Sequence, residues 1–152
     1  MNTAELLERE RDHIVEAAVT AIRQTHLVHY ERSGSDEVRR RVEILCDRLH
    51  QAIAHHDLHP MVEYASSLAD TRFNAGFDLS EVQAAINAVE EAAWAAILAS
   101  VPPEQLGESL GLVTTVLGEG KDALARTYVS LAIRARAPAV DITALFAGTN
   151  AG

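Results

Sequence analysis

YASSLADTRFNAGFDLSEVQAAINAVEEAAWAAIL, residues Tyr64–Leu98, reads as a helix, a corner made at one glycine, and a second helix. Gly76 stands where a helix ending near Asn74 needs a residue tolerant of positive φ. Two N-cap readings follow it: Ser80 with Gln83 forms a capping box, and Asp78 with Glu81 offers the same device two residues earlier. In the second helix, from about Leu79 to Ser100, Val82, Ile86, Val89, Ala93 and Ile97 make one apolar stripe. Ala84, Ala88, Ala92, Ala95/Ala96 and Ala99 make another, small enough for a neighbouring helix to approach to the lower end of ~8–10 Å. The remaining face carries Gln83, Asn87, Glu90 and Trp94. An aromatic ring on a polar face marks Asn87, Glu90 and Trp94 as a candidate interface or pocket, weighed against ordinary core packing.

Outward from that unit, the same helical period recurs. Thr3 is a candidate cap for a first helix with Leu6/Leu7, Ile14, Ala18, Ile22 and Thr25 on its inner face, ending near Arg32 before Ser33-Gly34-Ser35. Ser35 or Asp36 caps the next, whose stripe is Val38, Val42, Leu45, Leu49, Ala52/Ile53 and His56. After Asp57, Pro60 suits a helix's first turn, and Met61/Val62, Ala65, Leu68/Ala69 and Arg72/Phe73 carry the third helix to Gly76. Pro102-Pro103 closes the fourth. The fifth and longest holds Leu106, Leu110, Val113, Leu117, Gly120, Leu124, Thr127/Tyr128 and Leu131 in a heptad-like pattern to about Ala135. Gly107, Gly111 and Thr115 repeat the small-residue device there. Gly118 and Gly120, at about 1 kcal/mol each relative to alanine, predict a bend or break. Pro138 ends the helix, and residues 138–152 form a tail in which one turn would carry Ile142, Leu145 and Phe146, a second candidate docking element. The expected architecture is one all-α domain over 1–137, a helical bundle of about five main helices with a long final helix.

Composition narrows the function. Hydrophobic residues make up 48% of the 152 and aromatics only 5%, which suits an alanine- and aliphatic-rich helical core. A net charge of −9 argues against nucleic acid as a partner. No apolar run approaches the ~20 residues of a membrane span, and MNTAELLERERDH is too charged for a signal peptide. The reading is a cytoplasmic protein. Cys46 is alone, which leaves no disulfide framework, and it reads as an inert core thiol.

Among seven histidines, His50, His55, His56 and His59 cluster at one helix end. His55 and His59 have the i,i+4 spacing of a metal-binding helix, but Pro60 breaks the register and neither Cys nor a carboxylate pair completes the set. His13, His26 and His29 lie on another helix. The alternative to a plain surface cluster is a metal or haem site drawing on His29, His55, His56 and His59; His56, on the apolar stripe, reads more simply as a hydrogen-bonded core histidine. Gly118-Glu119-Gly120-Lys121-Asp122 resembles a phosphate loop and fails as one, with Thr at 115, Asp at 122 and no preceding strand. Glu90/Glu91 and Glu119/Asp122 read as solvated helix-face charges rather than an acid–base pair.

One family is similar. Asp36-Glu-Val-Arg39, Leu45/Leu49 before a short break, then Ala69-xx-Arg72-xxx-Gly76-x-Asp78-Leu79-xx-Val82 and Trp94 resemble the N-terminal domain of the RsbT co-antagonist family, the sensory halves of stressosome proteins. The resemblance spans Tyr30–Leu98, a little under half of the chain. It implies a non-haem, globin-like helical fold, a homodimer, and a regulatory or sensor role without catalysis. Family proteins continue into a phosphorylatable sulfate-transporter/anti-σ-antagonist domain, whereas this sequence stops at Gly152, so the expectation is a stand-alone relative. The expected function is a non-enzymatic regulatory module, without cofactor, that works through dimerisation and through a regulatory protein partner or a small ligand.

Overall fold

The computed structural model describes residues 1–25, 31–32 and 34–136. The described residues include, in order, the helices α1 (Thr3–Arg9), α2 (Arg11–Gln24), α3 (Ser35–His55), α4 (His59–Asn74), α5 (Leu79–Ser100) and α6 (Pro103–Arg136). There is no strand among the described residues. The fold is an all-α bundle in which α4 lies along α6 and α2 packs on α5, with α3 against α2 and α4.

The corner between α4 and α5 forms as its sequence dictates. Gly76 takes φ +85°. The Phe77 N–H donates to Arg72 O at 3.0 Å and the Gly76 N–H to Phe73 O at 3.1 Å, a Schellman closure that satisfies two carbonyls of the last turn. Asp78, not Ser80, is the N-cap of α5: its side chain accepts from the Glu81 N–H, and Glu81 Oε1 accepts from the Asp78 N–H at 3.0 Å. Phe77 turns inward beneath the Arg72 guanidinium, which stands 4.5 Å from the ring centroid. From α6, the buried Tyr128 Oη donates to Phe77 O at 3.1 Å, and its ring meets Phe73 edge-on at 5.7 Å. Three helices are therefore tied at one point.

Elsewhere the apolar stripes pack as their spacing requires. Val38, Val42, Leu45, Leu49, Ala52 and Ile53 are buried on α3; Met61, Ala65, Leu68 and Ala69 on α4; Val82, Ile86, Val89, Ala93 and Ile97 on α5; Val113, Leu117 and Leu124 on α6. Several expectations need correction. The first helix is two, joined at Glu10, and Asn2 rather than Thr3 caps it, through a capping box with Glu5. Thr3 is buried instead and hydrogen-bonded to Ser109 of α6 at 2.9 Å. α2 stops at Gln24, short of Arg32, where the Thr25 N–H and hydroxyl both donate to Ile22 O. Gly34 at φ +83° is the N-cap residue of α3, one position before Ser35.

His56 is not in the core: it is exposed and sits at φ 51° in the left-handed cap of α3, with the Asp57 N–H donating to Ala52 O. α6 runs unbroken through Gly118 and Gly120. Gly120 is there for space, because a Cβ would lie 3.1 Å from Met61 Sδ, whereas a Cβ at Gly107, Gly111 or Gly118 would meet nothing within 4 Å. Gly107, Gly111 and Thr115 are exposed and meet no neighbouring helix among the described residues. The tail, with Leu145 and Phe146, lies outside the described residues.

Two substitutions check this packing. Gly120→Val should destabilise by about 1–3 kcal/mol in denaturant unfolding, by forcing Met61 off its rotamer. Tyr128→Phe strands a buried carbonyl and should cost about 1–3 kcal/mol at neutral pH. Burial holds the Tyr128 hydroxyl at about 12, above its ordinary value, with the nearby Arg72 charge opposing. The protonated form is the one the fold favours, so its contribution is complete below pH ~10 and fades as pH rises toward 12. A stability–pH profile of Tyr128→Phe should lack that part of the alkaline decline seen in the parent.

Candidate functional site

Asn87, Glu90, Trp94 and Leu98 recur at three- and four-residue spacing and share one side of α5. That side is joined to α6 by Lys121, whose Nζ donates to Asn87 Oδ1 at 3.1 Å and stands 3.7 Å from Glu90 Oε1. Glu90 is largely buried, and its Oε2 has no partner among the described residues. Trp94 is 39% exposed and Leu98 59%, two large apolar side chains a helical turn apart. Chemically the cluster is one ammonium balanced by one carboxylate and an amide, flanked by apolar surface. The exposed apolar side chains beside this polar cluster suit it to docking.

The sequence singled out Asn87, Glu90 and Trp94, and the structure brings them to one side of α5. It missed Lys121, which was read only as part of the failed phosphate loop. It also missed Leu98, which the period of four from Trp94 would have supplied.

The histidines do not converge with this face. His55 closes α3, His56 follows in its cap, and His59 opens α4, donating its backbone N–H to Asp57 Oδ1 at 3.0 Å while its ring lies 3.0 Å from Glu63. All three are exposed. Pro60 sits at the start of α4, so His55 and His59 belong to different helices. His50 and His56 line a groove of about 350 Å³ with Glu5, Glu8 and Glu108. No group of three or more His, Cys, Asp or Glu among the described residues is placed to hold a metal ion. His26 and His29 lie outside the described residues. Cys46 is buried, and that burial pushes its thiol up to about 12, so it stays protonated and unreactive.

A small, mostly apolar cavity lies inside the bundle. A cavity of about 20 Å³, room for one water, is walled by aliphatic side chains including Ile22, Val42 and Ile86, and its rim carries Arg41, Tyr64 and Arg72. Tyr64 Oη is buried and has no hydrogen-bond partner among the described residues. Burial raises its pKa, with Arg41 nearby opposing.

Comparison with known proteins agrees with the corner and its surroundings. The family model described as the RsbT co-antagonist protein RsbRD N-terminal domain matches residues 11–139, from the start of α2 to just past the end of α6. No curated protein and no solved structure matches the chain. The match covers most of the sequence, including the Gly76 corner and the Trp94 face, and with it the chain belongs to the RsbT co-antagonist RsbRD N-terminal domain family, a family of stressosome-type regulatory domains.

Proposed function

We propose that this protein is a non-enzymatic, cytoplasmic regulatory module of globin-like helical arrangement, working as a homodimer and relaying its state to a regulatory protein. The observation that carries the reading is the exposed Trp94–Leu98 face, held in place by the Lys121–Asn87–Glu90 cluster. Large apolar side chains at a rigid helix–helix seam are typical of protein interfaces. Family membership supports the regulatory role, and the protein partners belong to that same expectation.

Protein contact is favoured over a small ligand by the character of the hollows rather than by their size. The interior cavity of about 20 Å³ takes one water, and the groove of about 350 Å³ is an open one with Glu5, Glu8, His50 and Glu108 in its walls, unlike the mostly apolar, enclosing walls of small-ligand sites. The acidic net charge disfavours nucleic acid. No helix of the described residues is long and apolar enough to cross a membrane.

Light scattering should report a dimer at tens of micromolar. Trp94→Ala combined with Leu98→Ala should raise the dimer dissociation constant at least tenfold, with the helical circular-dichroism signal unchanged. A monomer at that concentration would count decisively against the proposal. So would a Soret band with stoichiometric haem, or a stoichiometric metal lost on replacing His55 and His59.

A further inference from the structure

An open groove of about 520 Å³ lies along the seam where α4 packs on α6. Its walls are polar. α4 supplies Ser67 and Asp70, α6 supplies Arg126, Ser130 and Arg134, and all five are exposed. The Thr127 hydroxyl at the seam serves the fold, donating to Ala123 O at 2.9 Å and lying 3.4 Å from Ser66 Oγ. Those of Ser67 and Ser130 have no hydrogen-bond partner among the described residues. The two arginines differ from others of the chain in the same way. Arg11, Arg39, Arg40 and Arg41 each hold a carboxylate. Arg126 and Arg134 form no ion pair among the described residues, although Asp70 lines the same groove. They stand eight residues apart on α6, about 12 Å along the axis with Ser130 midway. The chain carries a net charge of −9, but salt screens distant charges beyond a Debye length of about 8 Å. A group entering the groove therefore meets the two guanidiniums first.

We propose that this groove holds an extended acidic segment of the regulatory protein, with carboxylates four residues apart on Arg126 and Arg134 and main-chain carbonyls accepting from Ser67 and Ser130. The spacing fits: an extended chain rises about 3.3 Å per residue, so four residues span about 13 Å, and its period of two puts both carboxylates on one side. The chemistry fits as well. Guanidinium groups only donate, and carboxylates and peptide carbonyls only accept. A single small anion would leave one arginine unmatched, and an open polar groove lacks the enclosing apolar walls of a small-molecule site. Asp70 opposes an acidic occupant, which gives its removal a predictable sign. The inference rests on the protein partner proposed above, names the chemistry by which that partner is held, and is independent of the homodimer.

The test uses a dye-labelled peptide of alternating Glu and Thr, titrated with the whole chain and followed by fluorescence anisotropy, beside a peptide with Lys in place of Glu. The Glu peptide should bind saturably and the Lys peptide should not, a preference opposite to that of the net charge. Arg126→Gln and Arg134→Gln should each weaken binding about threefold and together about tenfold, whereas Asp70→Asn should strengthen it at least twofold. All three side chains are exposed, so the helical circular-dichroism signal should stay the same. Preference for the Lys peptide, or binding indifferent to both arginines, overturns the proposal. So does inorganic phosphate that binds more tightly than the Glu peptide at matched ionic strength, which would make the groove a small-anion site. Light scattering on the same samples keeps the two readings apart. A dimer that ignores the Glu peptide sinks the groove alone, and a monomer that binds it supports the groove and sinks the homodimer alone.

Discussion

One hydrogen bond, from Tyr128 Oη to Phe77 O, closes the point on which the bundle depends. Between Asn74 and Leu79 the chain must leave one helix, reverse and enter another, and it has four residues to do so. Gly76 supplies the left-handed turn, Asp78 and Glu81 satisfy the first amides of α5, and Phe77 is pushed inward beneath Arg72. That leaves a buried carbonyl, and a hydroxyl from α6, fifty-one residues along the chain, donates to it. An unmade bond there would cost more than a made one contributes. The angle of α5 against α6, and with it the placement of Asn87 and Glu90 beside Lys121, follows from that closure.

The sequence announced most of this because the devices are local. A glycine two residues past the last helical residue, an Asp-xx-Glu pair and a four-three apolar rhythm each encode their geometry in a handful of neighbours, and α5 begins at Leu79 and ends at Ser100 as read. What was misread depended on distant residues. Thr3 looked like a cap, but Ser109 across the bundle draws its hydroxyl inward and Asn2 takes the role. His56 fits the α3 stripe by spacing, yet the helix terminates on it in a left-handed conformation and turns it out to water. Gly118 and Gly120 looked alike as helix weakeners. Only Met61, far upstream on α4, distinguishes them, since it presses on Gly120 and not on Gly118.

The candidate site was half legible for the same reason. Asn87, Glu90 and Trp94 could be grouped by period alone, but their partner Lys121 belongs to another helix and its meaning appears only when α6 folds back along α5. Exposure was less legible still. Val129 and Ile133 stand off the heptad-like stripe of α6, and the single step from Tyr128 to Val129 is enough to move a side chain from core to surface. The histidines show the converse. Their density in the sequence suggested chemistry, whereas the fold distributes them over a helix end, a cap and a helix start. What the described surface offers instead is exposed apolar side chains on α5 and α6, Trp94 and Leu98 on one and Val129 and Ile133 on the other.

Trp94 is the only tryptophan of the chain and stands on the face to which the functional account is committed. Its emission can therefore be followed without any label or substitution. As the protein is concentrated from well below micromolar to tens of micromolar, the account expects a shift of the emission to shorter wavelength and a fall in acrylamide quenching, both saturating with the population of dimer. An emission maximum and quenching constant that stay flat across that range, in a sample shown to dimerise, would place the interface elsewhere and contradict it.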